Sequence, residues 1–366
     1  MKKYVYMAMA ASVTMLSACS NDDDFAGVSE EGVDASTTPV EIVLGDAGVT
    51  RAAIQGNGDL DEMGIFCLAK AKQDINSGAS DINWFDGNTL HWSACIMNNV
   101  SAKKKEGNIT WTDASKHYFY PISQFYNYDF YGYYPYDAEV DTTTQNLVVA
   151  NYVIDGSQDI IWGKATSDEQ YAFSAKYFRL NPAVSKPKLS LEHLLTRLTF
   201  TAIPDEEGAD EGVSAAGMTV QKVYIKQVAN KLALTVAKRD ASGILTAEEG
   251  VITPDETELV DLYLKNTDGS ALTPVSLADG EATVGESLLL YPAEKYLLAV
   301  DFTHDAFPGE VMKTECWLEV GLQGEGKVFE KGKSYNVKLT VHGPKEITVE
   351  AELQDWVDGD DVDIEL

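Results

Sequence analysis

The chain of 366 residues carries 58 acidic and 28 basic side chains, which gives a formal net charge of −30. A surface so acidic repels phosphate backbones and anionic bilayers, so nucleic acid is excluded as an expected partner. Hydrophobic residues make up 45% of the chain, which is enough for packed cores, and the length allows two domains of ordinary size after a leader.

The amino terminus has the layout of an export signal. Met1-Lys2-Lys3 supplies positive charge, and residues 4–18 are mostly apolar but too few to span a bilayer, which takes about 20 apolar residues. Leu16-Ser17-Ala18-Cys19 resembles the lipobox of bacterial lipoproteins, in which the cysteine thiol receives a diacylglyceryl group. We predict a signal peptide over residues 1–18 and an acyl anchor on Cys19; an ordinary leader with a chance cysteine is the alternative.

Acidic residues follow this cysteine directly. Ser20-Asn21-Asp22-Asp23-Asp24 resembles the signal that sends Bacteroidetes lipoproteins to the outer face of the outer membrane, with the periplasmic leaflet as the alternative location. Residues 20–39 are small, polar and acidic and predict a flexible linker.

A short strand is predicted immediately after this linker. Val40, Ile42 and Leu44 occupy alternate positions, so their side chains are expected to point inward. Thr50-Arg51-Ala52 lies in the loop that follows.

Apolar residues recur with a period of two along most of the remaining chain, which is typical of strands. An aromatic segment at 117–136 places Tyr126, Tyr128 and Phe130 on one face, with a shift of face expected near Gly132. Further strands are predicted at 63–68, 198–202, 223–225, 232–236, 259–264, 287–290, 297–302, 335–341 and 347–353. His342-Gly343-Pro344 joins the last two, which predicts an antiparallel pair.

Many short strands at close spacing predict an all-β protein built from β-sandwiches. The prolines of the stretch 181–187 suggest a boundary, so we expect a linker and first strand at 19–51, an amino-terminal sandwich at 52–186 and a carboxyl-terminal sandwich at 187–366. Cys67 and Cys95 are either a disulfide pair or buried free thiols.

No catalytic or metal-binding motif occurs in the sequence. It contains no HExxH, GxSxG, Walker A or GxGxxG pattern, so we predict no enzymatic activity, no cofactor and no metal site. His193 is expected to be structural. The aromatic segment either builds a core or, if it is exposed, stacks on sugars.

Several local patterns, taken in order, resemble the fimbrillin family of Bacteroidales, the subunits of protease-assembled (type V) pili. Besides Cys19 and Thr50-Arg51-Ala52, these patterns are Phe130-Tyr131-Gly132-Tyr133-Tyr134-Pro135, Gln158-Asp159-Ile160-Ile161-Trp162-Gly163, Leu189-Ser190-Leu191-Glu192-His193-Leu194-Leu195-Thr196-Arg197-Leu198, Leu290-Tyr291-Pro292, Lys331-Gly332-Lys333-Ser334-Tyr335 and a final strand leading to Trp356.

The resemblance implies two tandem transthyretin-like antiparallel β-sandwiches and a lipoprotein precursor delivered to the cell surface. It implies that an arginine-specific surface protease cuts between Arg51 and Ala52 and releases residues 40–44 with the lipid. A strand from another subunit then fills the groove, head to tail, and builds a fimbrium. By its alternation the donor is Val362, Ile364 and Leu366; an ordinary last strand or a frayed acidic tail is the alternative.

The leading function is therefore a structural and adhesive fimbrial subunit, with other subunits and a host or bacterial surface ligand as partners. The alternative is a surface glycan-binding lipoprotein that stays acylated in the outer membrane. That alternative predicts exposed rings among Trp84, Trp92, Tyr126 and Tyr133.

Overall fold

The computed structural model describes most of the chain between Phe25 and Gln354. The described residues are 25–28, 34–44, 60–72, 83–86, 89–90, 94–105, 108–121, 126–136, 140–144, 146–169, 172–181, 186–205, 214–239, 247–320, 327–343 and 346–354. Strands dominate this part of the chain, and the sheets are mainly antiparallel, as predicted for an all-β protein. The division into two tandem sandwiches stays a prediction.

Within the described residues of the first half there are thirteen strands and one short helix. They are β1 (Phe25–Val28), β2 (Asp34–Pro39), β3 (Val43–Leu44), β4 (Leu60–Lys72), β5 (Phe85–Asp86), β6 (Thr89–Leu90), β7 (Cys95–Lys105), β8 (Asn108–Trp111), β9 (Phe119–Pro121), β10 (Tyr126–Tyr134), β11 (Leu147–Val153), β12 (Ile161–Ala165), α1 (Ala175–Leu180) and β13 (Lys188–His193).

Seven of these strands form a closed barrel in the order β4, β7, β8, β3, β13, β12 and β10, and β10 pairs back to β4. Neighbours are antiparallel except β3 and β13, which run parallel. Closure removes the exposed edges that an open sheet would present to other chains. The ring therefore depends on every member, including the two-residue strand β3.

Strand β10 is buried on both faces, which the sequence did not predict. Tyr128, Phe130 and Gly132 face the barrel interior, where Gly132 leaves room for Leu189. The register with β4 runs without interruption from Tyr128 to Tyr133 and shifts before Tyr128, so the predicted change of face near Gly132 is wrong. Aromatic side chains are buried on both faces of β10, because Tyr131 and Tyr133 on the outer face are also covered by other residues, among them Glu249 and Phe66.

The segment before the barrel is more ordered than a linker. β2 pairs with β1 on one side and with β9 on the other. The predicted flexible linker is wrong for residues 25–28 and 34–39, because the backbone edge of β9 offers hydrogen-bond partners that do not depend on side-chain hydrophobicity.

The second half begins with β14 and is again built from strands. They are β14 (Thr196–Pro204), β15 (Met218–Ala229), β16 (Lys231–Lys238), β17 (Val251–Pro254), β18 (Leu259–Tyr263), β19 (Val275–Ser276), β20 (Ala282–Thr283), β21 (Leu288–Leu290), β22 (Lys295–His304), β23 (Met312–Glu319), β24 (Ser334–Gly343) and β25 (Glu346–Gln354), with a short 3-10 helix at Ala215–Gly217.

Two sheets organise this half. One has the order β20, β14, β24 and β25, with β21 also on β14; the other has the order β18, β15, β22 and β23, with β19 also on β15. Their alternate apolar residues, such as Phe200, Val337 and Leu298, belong to one hydrophobic core. The predicted antiparallel pair of β24 and β25 is confirmed, whereas the parallel pairing of β14 with β24 was not predicted.

The two halves share a sheet at their junction. β11, from the first half, pairs with β16, which also pairs with β17. β13 lies past the prolines of 181–187 but completes the first barrel, so the suggested boundary at residue 186 does not coincide with a break in strand pairing.

Both cysteines of the first barrel are buried free thiols, and burial raises the pKa of each. Cys67 lies on β4 and Cys95 on β7.

Among the described residues, the helices are too short or too polar to span a bilayer.

Candidate functional site

The candidate site is the short strand β3, which closes the barrel between β13 and β8. Val43 and Leu44 pair with Lys188 and Leu189 of β13, and Val43 alone pairs with Asn108 of β8. The Val43 N–H donates to the carbonyl of Pro187 at 3.0 Å. The ring is thus completed by very few backbone contacts at this position.

Of the three side chains predicted to point inward, those of Val40 and Ile42 are described and buried, with 4% and 6% of their surface exposed. Glu41 between them is exposed and forms an ion pair with Lys186 at 3.0 Å. The Val40 N–H donates to the carbonyl of Tyr118 at 2.8 Å. Full burial of a Val or Ile side chain contributes roughly 1.5–3 kcal/mol, so side-chain packing rather than backbone pairing holds this segment.

A layer of aromatic rings belongs to the same hydrophobic core as these two side chains. Tyr120 lies at its centre, with ring centroids 5.5 Å from Phe178, 6.0 Å from Tyr128 and 6.5 Å from Phe130. Burial raises the pKa of Tyr120, whose hydroxyl has no hydrogen-bond partner within the described part of the chain. The aromatic segment therefore builds a core here.

This burial removes two rings from the glycan-binding alternative. Trp84 and Tyr133 are 1% and 0% exposed and cannot stack on a sugar. Tyr126 is half-buried, and Trp92 lies outside the described residues.

Several predicted site residues are not among those whose side chains the structure describes. Leu44 is described only through its backbone in β3. The remaining ones fall outside the described residues: Cys19, Arg51, Ala52, Val362, Ile364 and Leu366.

Two of the sequence patterns meet in the barrel wall. β12 follows Gln158-Asp159-Ile160 and pairs with β13, which ends at His193. The Nδ1 of His193 and a carboxylate oxygen of Asp159 form a buried hydrogen bond. This geometry fits a structural histidine, because the ring joins β13, a neighbour of the closing strand, to the segment that leads into β12.

Metal-binding clusters and hollows are the features of the described residues that bear on catalysis. They contain no cluster of three His, Cys, Asp or Glu side chains that could hold a metal ion. A hollow of about 690 Å³ lies between Leu194, Val251, Tyr291 and Val328, and its lining has neither a histidine nor a cysteine.

The sequence matches a family model described as fimbrillin-like over residues 50–356. The chain belongs to the fimbrillin-like family. The match begins beside Arg51 and leaves β1, β2 and β3 outside it. No curated protein matches the chain.

Solved structures that resemble this fimbrillin-like chain come from species of Bacteroides and Porphyromonas. A "putative cell adhesion protein" from Bacteroides uniformis is 18% identical, covers 87% of this chain and 99% of its own, and has a TM-score of 0.50. Another of the same description from Bacteroides ovatus is 16% identical, with coverages of 89% and 99% and a TM-score of 0.46. The fimbrial anchor protein Mfa2 from Porphyromonas gingivalis is 9% identical, with coverages of 86% and 95% and a TM-score of 0.34. Only the first likeness bears on the fold, and it shows the fold alone.

Proposed function

We propose that this fimbrillin-like chain is a fimbrial subunit that reaches the cell surface as a lipoprotein acylated at Cys19. Cleavage between Arg51 and Ala52 then activates it for head-to-tail donor-strand assembly. The observation that carries the proposal is the place of β3 in a barrel that closes only through it.

Removal of residues 40–44 would leave a specific gap. β13 and β8 would each lose a neighbour, and the space of Val40 and Ile42 would become an apolar groove. Unpaired strand edges and exposed apolar surface are both relieved when a strand from another chain is added. A contact between two different surfaces repeats without closing, so it grows a filament.

The cut would fall in the connection between Leu44 and Leu60, which joins the closing strand to the rest of the barrel. A break there severs β3 from β4 without interrupting any strand that the structure describes. The donor in this proposal is the carboxyl tail, through Val362, Ile364 and Leu366.

The test compares Arg51→Ala with Arg179→Ala, which removes another arginine, in cells that export the chain. The expected mature mass is that of a chain starting at Ala52 for the wild type and for Arg179→Ala. Arg51→Ala should keep the acylated amino terminus at Cys19 and give no heat-resistant ladders on gels.

Two outcomes would contradict the proposal in different ways. Normal ladders from Arg51→Ala would show that cleavage at this position is not the trigger. An acylated, monomeric wild type would favour the alternative of a resident surface lipoprotein. Deletion of residues 361–366 should abolish ladders while leaving the cut at Arg51 unchanged.

A further inference from the structure

A second surface, remote from β3 along the chain, lies on the solvent-facing side of the sheet β18, β15, β22 and β23. Residues directly opposite each other on neighbouring strands share a face of the sheet. The register sets three such rows: Tyr263, Tyr224, Ala299 and Glu315; Lys226, Leu297 and Trp317; and Lys222, Asp301 and Lys313.

Two aromatic rings stand exposed at the sides of this face. Tyr263 is 45% exposed and Trp317 is 57% exposed. Tyr263 stacks on Tyr224 with ring centroids 4.7 Å apart and an interplanar angle of 22°. The Nζ of Lys295 lies 4.4 Å from the centre of the Trp317 ring. Both rings are therefore held by neighbours while much of their surface remains open.

A buried carboxylate lies on the same face, in the row next to Tyr224 and Ala299 and on the side away from Trp317. Asp301 is 4% exposed although it lies on the outer face. Its Oδ1 is 3.4 Å from the hydroxyl of Tyr224 and 3.5 Å from the Nζ of Lys313, both longer than usual hydrogen bonds. A carboxylate has about four acceptor positions, so Asp301 retains capacity for further donors.

A charged pair lies between the exposed rings of Tyr263 and Trp317. Lys226 forms an ion pair with Glu315 at 2.6 Å, beside the small side chain of Ala299. The cores of protein–protein interfaces are depleted of charged residues, so this face differs from a protein-docking surface. A saccharide ring presents C–H groups to an aromatic face and hydroxyls to carboxylates and ammonium groups, which fits the alternation seen here.

Net charge and span narrow the ligand further. On this face the ammonium groups of Lys222, Lys226, Lys295 and Lys313 are matched in number by the carboxylates of Asp261, Asp301, Glu315 and Glu319, so the face has no net positive charge to attract sialylated or sulfated glycans. Three strand spacings of ~4.8 Å place β18 and β23 about 14 Å apart, a span that suits several linked sugars better than one. We propose that this face binds a neutral oligosaccharide, with Tyr263 and Trp317 stacking on sugar rings and Asp301 accepting hydrogen bonds from hydroxyls.

The first test places the full chain, purified in a mild detergent, on an array of neutral, sialylated and sulfated oligosaccharides. Binding should be confined to neutral structures of several sugars. The neutral oligosaccharide with the strongest signal is then titrated against variants. Trp317→Ala and Tyr263→Ala should each weaken its binding about tenfold, Asp301→Asn should weaken it, and Tyr263→Phe should retain it.

Matched controls come from exposed rings outside this face. Phe307→Ala and Phe119→Ala remove rings that are 40% and 37% exposed and should leave binding unchanged. Thermal unfolding of each variant separates lost binding from lost folding, since Trp317 and Tyr263 are both well exposed.

Three results would overturn the proposal. They are no binding to any oligosaccharide, equal binding by Trp317→Ala, Tyr263→Ala and the wild type, and selective binding of sialylated or sulfated glycans. A further experiment tests adhesion of the chain to whole cells that have been treated with periodate or with protease. If adhesion depends on Trp317 but resists periodate and is abolished by protease, the face binds a protein instead.

Discussion

Trp162 donates its indole N–H to the backbone carbonyl of Val236 at 2.8 Å. The bond joins barrel strand β12 to β16 of the second half. The same ring packs over Gly250, where an added Cβ would lie 2.5 Å from the ring. The Trp162 side chain thus connects the two halves in addition to the pairing of β11 with β16.

Trp162→Phe should lower the free energy of unfolding by roughly 1–3 kcal/mol, because the carbonyl of Val236 loses its donor. Denaturant titration of the full chain measures this loss. Trp317→Phe, at an exposed position, is the control and should change stability by less than about 0.5 kcal/mol. Equal effects of the two changes would contradict a structural role for the indole bond.

Lys164→Met should lower the free energy of unfolding more than Trp162→Phe does, since Lys164 forms ion pairs with Asp129 at 3.2 Å and with Glu249 at 2.8 Å. Burial acts to lower the pKa of Lys164, but the two carboxylates outweigh it and raise the pKa above its usual value. Loss of the ammonium leaves Asp129, which is 3% exposed, without its ion-pair partner, at a cost of about 3–5 kcal/mol. Lys231→Met breaks the exposed pair with Glu258 and should cost at most about 1 kcal/mol in the same denaturant titration.

Gly163→Ala should disrupt the pairing of β12 with β13, because a Cβ there would lie 2.0 Å from the carbonyl oxygen of Ser190. We expect a cost above ~3 kcal/mol, at the upper end of single substitutions. Gly309→Ala is the control: its φ is +86° but no atom lies within 4 Å, so only backbone strain of ~1 kcal/mol applies. Thermal unfolding that ranks Gly309→Ala as the worse change would refute the steric argument.

Stability should fall in acid partly through Asp155. Burial acts to raise its pKa, but hydrogen bonds from Lys265 and Ser157 together outweigh it and lower the pKa from 3.8 to about 2. The contribution is therefore present above pH 3.8 and is lost as the pH falls toward 2. Because the side chains of Asp155 and Lys265 are 52% and 28% exposed, we expect about 1 kcal/mol or less.

Unfolding free energies of Asp155→Asn and the wild type, measured between pH 5 and 2, test this expectation. The gap between them should narrow as the pH falls through this window. A gap that widens toward pH 2 would reverse the predicted sign.

Ile42→Ala should destabilise the uncleaved chain by about 2–5 kcal/mol, because Ile42 is buried in the barrel. Glu41→Ala, one position away and exposed, should cost at most about 1 kcal/mol. Differential scanning calorimetry of the precursor measures both. If Ile42→Ala is no worse than Glu41→Ala, the segment does not contribute to the core.

Sequence patterns predicted the features that neighbouring residues form together, such as hairpins and buried alternate positions. The alternation across residues 335–353 with a turn at His342-Gly343-Pro344 predicted the hairpin of β24 and β25. The same argument predicted burial of Val40 and Ile42. Pairing between distant segments left no such signal, because β14 and β24 carry the alternation that any half-buried strand would carry.

The candidate surfaces show the same division. Alternation predicted a strand over residues 40–44, of which the structure has only Val43–Leu44 as β3. It did not predict the neighbours β13 and β8, since the partners of a barrel strand are fixed by the whole ring. Tyr263 and Trp317 come from different hairpins and gave no motif. The sequence indicated Trp84 and Tyr133 instead, but both rings are buried in the core.

The parallel pairing of β14 with β24 also determines when this protein can fold. The hydroxyl of Thr199 donates a hydrogen bond to the carbonyl of Tyr335, although the two residues are 136 positions apart in the chain. Non-local pairing of this kind is slow, because loop closure must precede the contacts that stabilise it. If the chain is exported amino terminus first, as proposed, nearly all of it must cross the membrane before this sheet is completed. The edge of β14 would then need protection from other chains throughout that time.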